Sequence, residues 1–145
     1  MDKQEYDAKV TWLRRYRQAV RRQELLAEAL AEQRARAERI TPLLDPGAAG
    51  SARGGATRAD KLPRAVESIL AAQAELEAQI GHCEAVRAEV RAVLEQERDP
   101  QRYEILYRRY ILGQGFAQAA AALHIEVRWA YRLHRQSLEQ LDFDQ

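Results

Sequence analysis

The sequence has one cysteine, Cys83, four prolines, two phenylalanines and a formal charge of only +1 over its 145 residues. A lone cysteine excludes an internal disulfide and a cysteine-built zinc site, and it suits a reducing compartment. The near-neutral balance excludes a global basic field, so any hold on nucleic acid has to rest on one local face. No run approaches the roughly 18 apolar residues of a membrane span. The charged opening MDKQEYDAK also lacks the apolar core of a signal peptide. β-Branched residues are sparse, while alanine, leucine, glutamate, glutamine and arginine dominate. That is the composition of long helices. The expectation is a cytoplasmic all-α protein with no membrane partner.

Breaks in the sequence divide the helices simply. Residues 4–40 hold neither Gly nor Pro and read as one long helix. Residues 41–62, TPLLDPGAAGSARGGATRADKL, contain two prolines and four glycines and read as a flexible connector, most mobile over 46–58. Its SARGGATR segment lacks the GxxxxGK[ST] pattern and follows no strand, so it is not a nucleotide-binding loop. Pro63 is expected to open a second helix to about Arg98. In it Leu62, Val66, Ile69, Gln73, Leu76, Ile80, Cys83, Arg87, Val90 and Leu94 trace a heptad seam. The first helix carries a looser face of Tyr6, Val10, Leu13, Val20, Leu30 and Ala37. At ~1.5 Å per residue each helix would be roughly 50–55 Å long.

Equal lengths across a flexible connector predict a long antiparallel helical hairpin, a coiled coil, over residues 1–98. Charge agrees with the pairing: residues 1–40 carry ten Lys or Arg against seven Asp or Glu, and residues 63–100 carry four against eight. Each exposed pair adds only ~0.2–1 kcal/mol, so the seam supplies the stability and the charges select the partner. A two-helix seam is thin, and the hairpin is expected to self-associate or to dock on another protein.

The remaining residues, 99–145, read as a separate module. Asp99-Pro100 is a helix start, with Asp as N-cap and Pro at the first position. The helix it opens places Tyr103, Leu106, Tyr107, Tyr110 and Ile111 on one core-facing stripe and stops at Gly113. A short alanine-rich helix, 116–123, follows. The break at His124-Ile125-Glu126 has the length of the turn in a helix-turn-helix. In the last helix, 127–141, Ala130, Leu133, Ser137, Leu138 and Leu141 share one face. Arg128, Trp129, Tyr131, Arg132, Arg135 and Gln136 fall on the others. A recognition helix needs that division, because arginine's fork pairs with guanine edges or phosphates while the opposite face packs. These six residues are the expected DNA-binding set.

The stretch LYRRYILGQGFAQAAAALHIEVRWAYRLHRQSLEQL resembles the helix-turn-helix of sigma factor region 4. More narrowly it resembles the phage and prophage transcriptional regulators of the RinA/ArpU type. Arg109-Tyr110-Ile111, Gly113, Phe116, Ala120, Leu123, Tyr131-Arg132-Leu133-His134 and Leu138 stand at matching positions. ARAERITPLL, SARGGATRADKL and AVESIL match the order of that family's helical hairpin and glycine-rich connector, so the resemblance covers nearly the whole chain. Four positions depart from the pattern. Ala119 stands for a branched residue, His124 for a small turn residue, Glu126 for a capping serine and Ala130 for a valine. The resemblance implies a sigma-70 region 4-like fold, binding of double-stranded DNA, and a bacterial host cell. It assigns the hairpin to oligomerisation or to RNA polymerase contact.

No catalytic chemistry is legible. His82, His124 and His134 lie on separate elements without metal-ligand spacing, and no Ser-His-Asp or Cys-His arrangement can be drawn. The expectation is a non-enzyme without metal or cofactor. Besides a transcription regulator, the same parts fit a DNA-packaging protein resembling a phage small terminase subunit, or a helical adaptor that binds no DNA. The resemblance favours the regulator.

Overall fold

The computed structural model describes residues 1–40 and 57–143, with side chains from Lys61 onward in the second segment. Among these residues it is all-helical: α1 (Lys3–Leu13), α2 (Arg15–Ile40), α3 (Thr57–Leu94), α4 (Pro100–Tyr110), α5 (Phe116–Ala122) and α6 (Val127–Gln140). No described helix is long and apolar enough to cross a membrane. The expected connector is corrected at one end. Residues 57–62 belong to α3, so Pro63 lies inside that helix and does not open it. Pro63 is the seventh residue of that helix, past the first turn, so its missing N–H removes one intrahelical hydrogen bond. Residues 46–56, for which the sequence predicts mobility, fall outside the described residues.

The helices assemble into two compact units, Met1–Val20 with His82–Gln145, and Arg21–Gly81. The division differs from the predicted one at residue 98, because both base ends of the hairpin belong with the C-terminal helices. Within the second unit α2 and α3 run antiparallel. Arg22 pairs with Glu75 at 3.8 Å, and Gln33, Arg36 and Ile40 line a cleft with Lys61, Arg64 and Ser68.

The seam of α3 is present but shifted. Its inward positions are Leu62, Ala65, Ile69, Ala72, Leu76 and Gln79 in the second unit, continuing as Cys83, Val86 and Val90 in the first. These alternate by three and four without a break. Leu62, Ile69, Leu76, Cys83 and Val90 agree with the predicted seam, whereas Val66 and Ile80 are exposed (45% and 38%) and Val86 replaces Arg87. The half-buried Ala65 and Ala72 carry little hydrophobic signal, so the larger, exposed Val66 and Ile80 imitate the seam in the sequence. Ile69 and Leu76 are half-buried.

The first unit holds nearly all the deeply buried side chains. One cluster joins Leu13 of α1, Val86, Val90, Val93 and Leu94 of α3, Leu106 and Tyr110 of α4, and Leu138 at the end of α6. The backbone ladder crosses from α1 to α2 through Arg14 N–H to the Val10 carbonyl and Gln18 N–H to the Arg14 carbonyl, both 3.0 Å. A second cluster, Ile105, Ala119, Ala120, Ala130 and Leu133, holds α4, α5 and α6 together. Helix α4 therefore faces both ways, with Ile105 toward one cluster and Leu106 and Tyr110 toward the other. Tyr103 and Tyr107 are half-buried against the first cluster, stacked with ring centroids 6.0 Å apart.

Candidate nucleic-acid interface

Two tight turns set the direction of α6. After α4, Gly113 takes φ of 76°, a left-handed conformation that L side chains rarely adopt. Gln114 N–H then reaches back to the Arg108 carbonyl at 2.9 Å. Arg17 closes over this turn: its guanidinium donates to the Ile111 carbonyl at 3.2 Å and lies where a Cβ on Gly113 would stand. After α5, His124 N–H returns to the Ala121 carbonyl (3.1 Å) and Ile125 N–H to the Ala120 carbonyl (3.0 Å). That is a Schellman closure with His124 in the left-handed position, φ 56°. A small residue is usual there because a Cβ crowds the backbone; His124 bears that strain. Glu126 occupies the N-cap of α6 but makes no side-chain cap hydrogen bond.

Alanine decides how closely α5 and α6 approach. Ala119 (0% exposed), Ala120 (1%) and Ala130 (0%) meet without a gap. Larger side chains at 119 or 130 would push the two helices apart. Leu133 closes the same cluster, which Phe116, Leu123 and Ile125 border.

Polar contacts fix the inner side of α6. Glu97, just past α3, is buried, and its carboxylate serves three elements. One oxygen accepts from Asp99 N–H at 3.0 Å and from the Arg102 guanidinium at 3.2 Å. The other accepts from the Ser137 hydroxyl of α6 at 2.5 Å. Asp99 in turn caps α4, accepting from Arg102 N–H at 2.9 Å. A buried carboxylate is costly unless it is hydrogen-bonded, and here both oxygens are, through three donors. Gln96 receives the segment after α6 as a backbone partner would, donating to the Asp142 carbonyl and accepting from its N–H, both at 2.8 Å. Lys9 donates to the Leu138 carbonyl at 2.7 Å, meeting the partial negative charge at the C-terminal end of α6.

His134 lies at the centre, 1% exposed. Its Nε2 is 2.6 Å from the Tyr110 hydroxyl and its Nδ1 is 3.3 Å from the Tyr6 hydroxyl. Phe116 meets the ring edge-on, with centroids 4.9 Å apart. A neutral imidazole offers one donor and one acceptor, matching one hydroxyl on each side. Burial first, and the nearby Arg109 charge second, push the imidazole down to about 4. Burial likewise raises both tyrosines above their ordinary range. His134 is a packing residue.

The outer side of α6 is the opposite in character. Arg128, Trp129, Tyr131, Arg132, Arg135 and Gln136 are all exposed, while Ala130, Leu133, His134, Ser137 and Leu138 are buried. Trp129 (41%) and Tyr131 (52%) are large rings held at the surface. Tyr131 leans on Phe116 at 4.4 Å between centroids. Arg135 is tied back, 3.6 Å from Glu139 and above the Tyr6 ring. Arg128 and Arg132 have no carboxylate partner among the described residues, so their forks are open. What such a face can do chemically is donate hydrogen bonds, neutralise anions and stack.

Periodicity in the sequence identifies the outer residues and misses the inner polar ones. Glu97, Gln96 and Lys9 read as ordinary surface charges and amides on amphipathic helices. Only the convergence of three elements makes Glu97 a hub, and no periodicity reports that. Among the described residues no group of three or more His, Cys, Asp or Glu is placed to hold a metal ion. Comparison with protein-family models, curated proteins and solved structures finds no match to this chain.

Proposed function

We propose that the chain is a sequence-specific DNA-binding transcription regulator of the phage type, with α5 and α6 as its helix-turn-helix and α6 as the recognition helix. One observation carries the reading: the two sides of α6 are fully divided. Every position packed on α4 or α5 is small, apolar or internally bonded, and every long donor lies outside. Arg128 and Arg132, four residues apart, stand on adjacent turns and reach neighbouring bases. Trp129 and Tyr131 supply apolar surface beside them. Helix α5 crosses the phosphate backbone while the Glu97 and His134 hydrogen bonds hold α6 rigid, which a base-reading helix needs for register.

The second unit supports a role in association. Leu30 is its one buried hydrophobic residue among those described, and Leu25, Val66, Leu70 and Ile80 are exposed along it. A second copy of the chain or RNA polymerase would cover them. No catalytic step enters this reading.

The test is binding of the full chain to the DNA flanking its own gene at physiological salt, followed by footprinting. Replacing Arg128 and Arg132 together with alanine should cost ~1–3 kcal/mol for each base edge no longer read and relax selectivity there. Unchanged affinity would leave α6 a packed helix and no reader. A ring of about eight or more chains in solution would instead favour a packaging protein, since such rings are how packaging subunits assemble on DNA.

A further inference from the structure

Three arginines outside α6 have no carboxylate partner among the described residues: Arg17 and Arg109 meet at one turn of the first unit, and Arg14 lies one helical turn before Arg17 on the same helical face. Arg17 spans the α4–α5 turn, with its guanidinium over Gly113 and bonded to the Ile111 carbonyl at 3.2 Å. Arg109 reaches the same turn from α4, donating to the Gln114 carbonyl at 3.4 Å and lying 5.0 Å above the Phe116 ring. Arg14, one helical turn before Arg17, is exposed, and its charge acts on the Tyr110 hydroxyl. The other basic groups nearby are committed: Arg108 pairs with Glu104 at 2.7 Å, Arg135 with Glu139 at 3.6 Å and Lys9 with Glu5 at 3.5 Å.

The cluster is continuous with the exposed side of α6. Tyr131 touches Phe116, Phe116 underlies Arg109, and Arg109 shares the turn with Arg17. Holding the Arg17 and Arg109 guanidinium groups at one turn without a carboxylate partner costs mutual repulsion. An anion that bridges them removes that repulsion, and the arginine fork is shaped for phosphate oxygens.

We propose that Arg14, Arg17 and Arg109 form a phosphate-binding shelf that holds the backbone of the same duplex that α6 reads. The inference rests on the DNA-binding reading and adds to it that α1 and α2 belong to the DNA-binding surface. It also accounts for the glycine at 113. A side chain there would displace Arg17 from the turn in addition to straining the backbone.

Full-length protein, titrated by fluorescence anisotropy into its bound duplex and into an unrelated duplex of equal length over a range of salt, tests it. The Arg14 side chain is exposed and ties no element to another, so Arg14→Gln is the clean variant. It should weaken both duplexes alike by about threefold and lower the slope of log affinity against log salt by about one. Arg14→Gln with Arg109→Gln should weaken both by about tenfold and lower the slope by about two. Arg14→Lys should bind as the parent does, because a phosphate accepts a point charge. Parent-like affinity and slope for Arg14→Gln and for the double variant, with thermal midpoints intact, overturn the shelf. So does a loss confined to the bound duplex, which signals base reading. If the parent protein binds neither duplex, the shelf and the DNA-binding reading fall together. If Arg128→Ala with Arg132→Ala abolishes discrimination while the Arg14 variants bind normally, the shelf alone falls.

Discussion

The two units use the same helices to different ends. The first packs several helices into its core and buries Leu13, Val90, Leu94, Ile105, Leu106 and Leu138 to within 1% of full enclosure. The second has two helices and one seam, and among the described residues only Leu30 falls below a tenth exposed. Two cylinders in contact leave the outer arc of each wet, so the seam removes water from one stripe and no more. A third and fourth helix close that arc. The difference lies in how many elements meet and not in how apolar they are: α3 contributes Leu70, 59% exposed, to the second unit and Val90, fully enclosed, to the first.

Core truncation separates the units most sharply. Leu106→Ala should destabilise the first unit by ~2–5 kcal/mol, since a fully enclosed leucine leaves both a transfer loss and a cavity. Urea titration by circular dichroism reads it, and a change under about 1 kcal/mol would mean that the unit collapses onto the gap.

Acid should weaken the first unit next. The folded imidazole of His134 is depressed from 6.5 to about 4. The unfolded chain therefore takes the proton first, and stability falls as pH drops from about 6.5 toward 4. The loss totals on the order of 3 kcal/mol. Above pH 6.5 the contribution is complete. Denaturation midpoints at about pH 7 and about pH 4.5, compared between the parent and His134→Gln, give the measurement. An equal acid dependence in the two proteins would acquit His134.

In the second unit Leu76→Ala should cost only ~1 kcal/mol, because the side chain is half-buried and about half its transfer free energy is at stake. A loss as large as that at Leu106 would show a second chain packed on the seam. The smallest effect belongs to the outer side of α6. Arg128→Ala with Arg132→Ala should change stability by less than about 0.5 kcal/mol, as exposed substitutions do. A larger change would mean that those side chains pack, and the thermal midpoint decides it.

The helical character, the start and stop of α4 and the division of α6 follow from local sequence. Asp99-Pro100 and Gly113 act through a cap and a left-handed turn, so two or three residues suffice to read them. The exposed set from Arg128 to Gln136 is legible because helical periodicity alone separates it from Ala130, Leu133 and Ser137. The register of the α3 seam, by contrast, is settled by packing. Ala65 and Ala72 are half-buried on the inward side, while hydrophobicity alone points to Val66 and Ile80, which are exposed. Packing also joins the N-terminal helix to the C-terminal ones, through Tyr6 on His134 and Lys9 on the Leu138 carbonyl. Those bonds link residues 128 and 129 positions apart. Separations of that order carry no periodic trace in a sequence, because nothing local distinguishes a tyrosine or lysine that will meet a distant helix from one that will meet water.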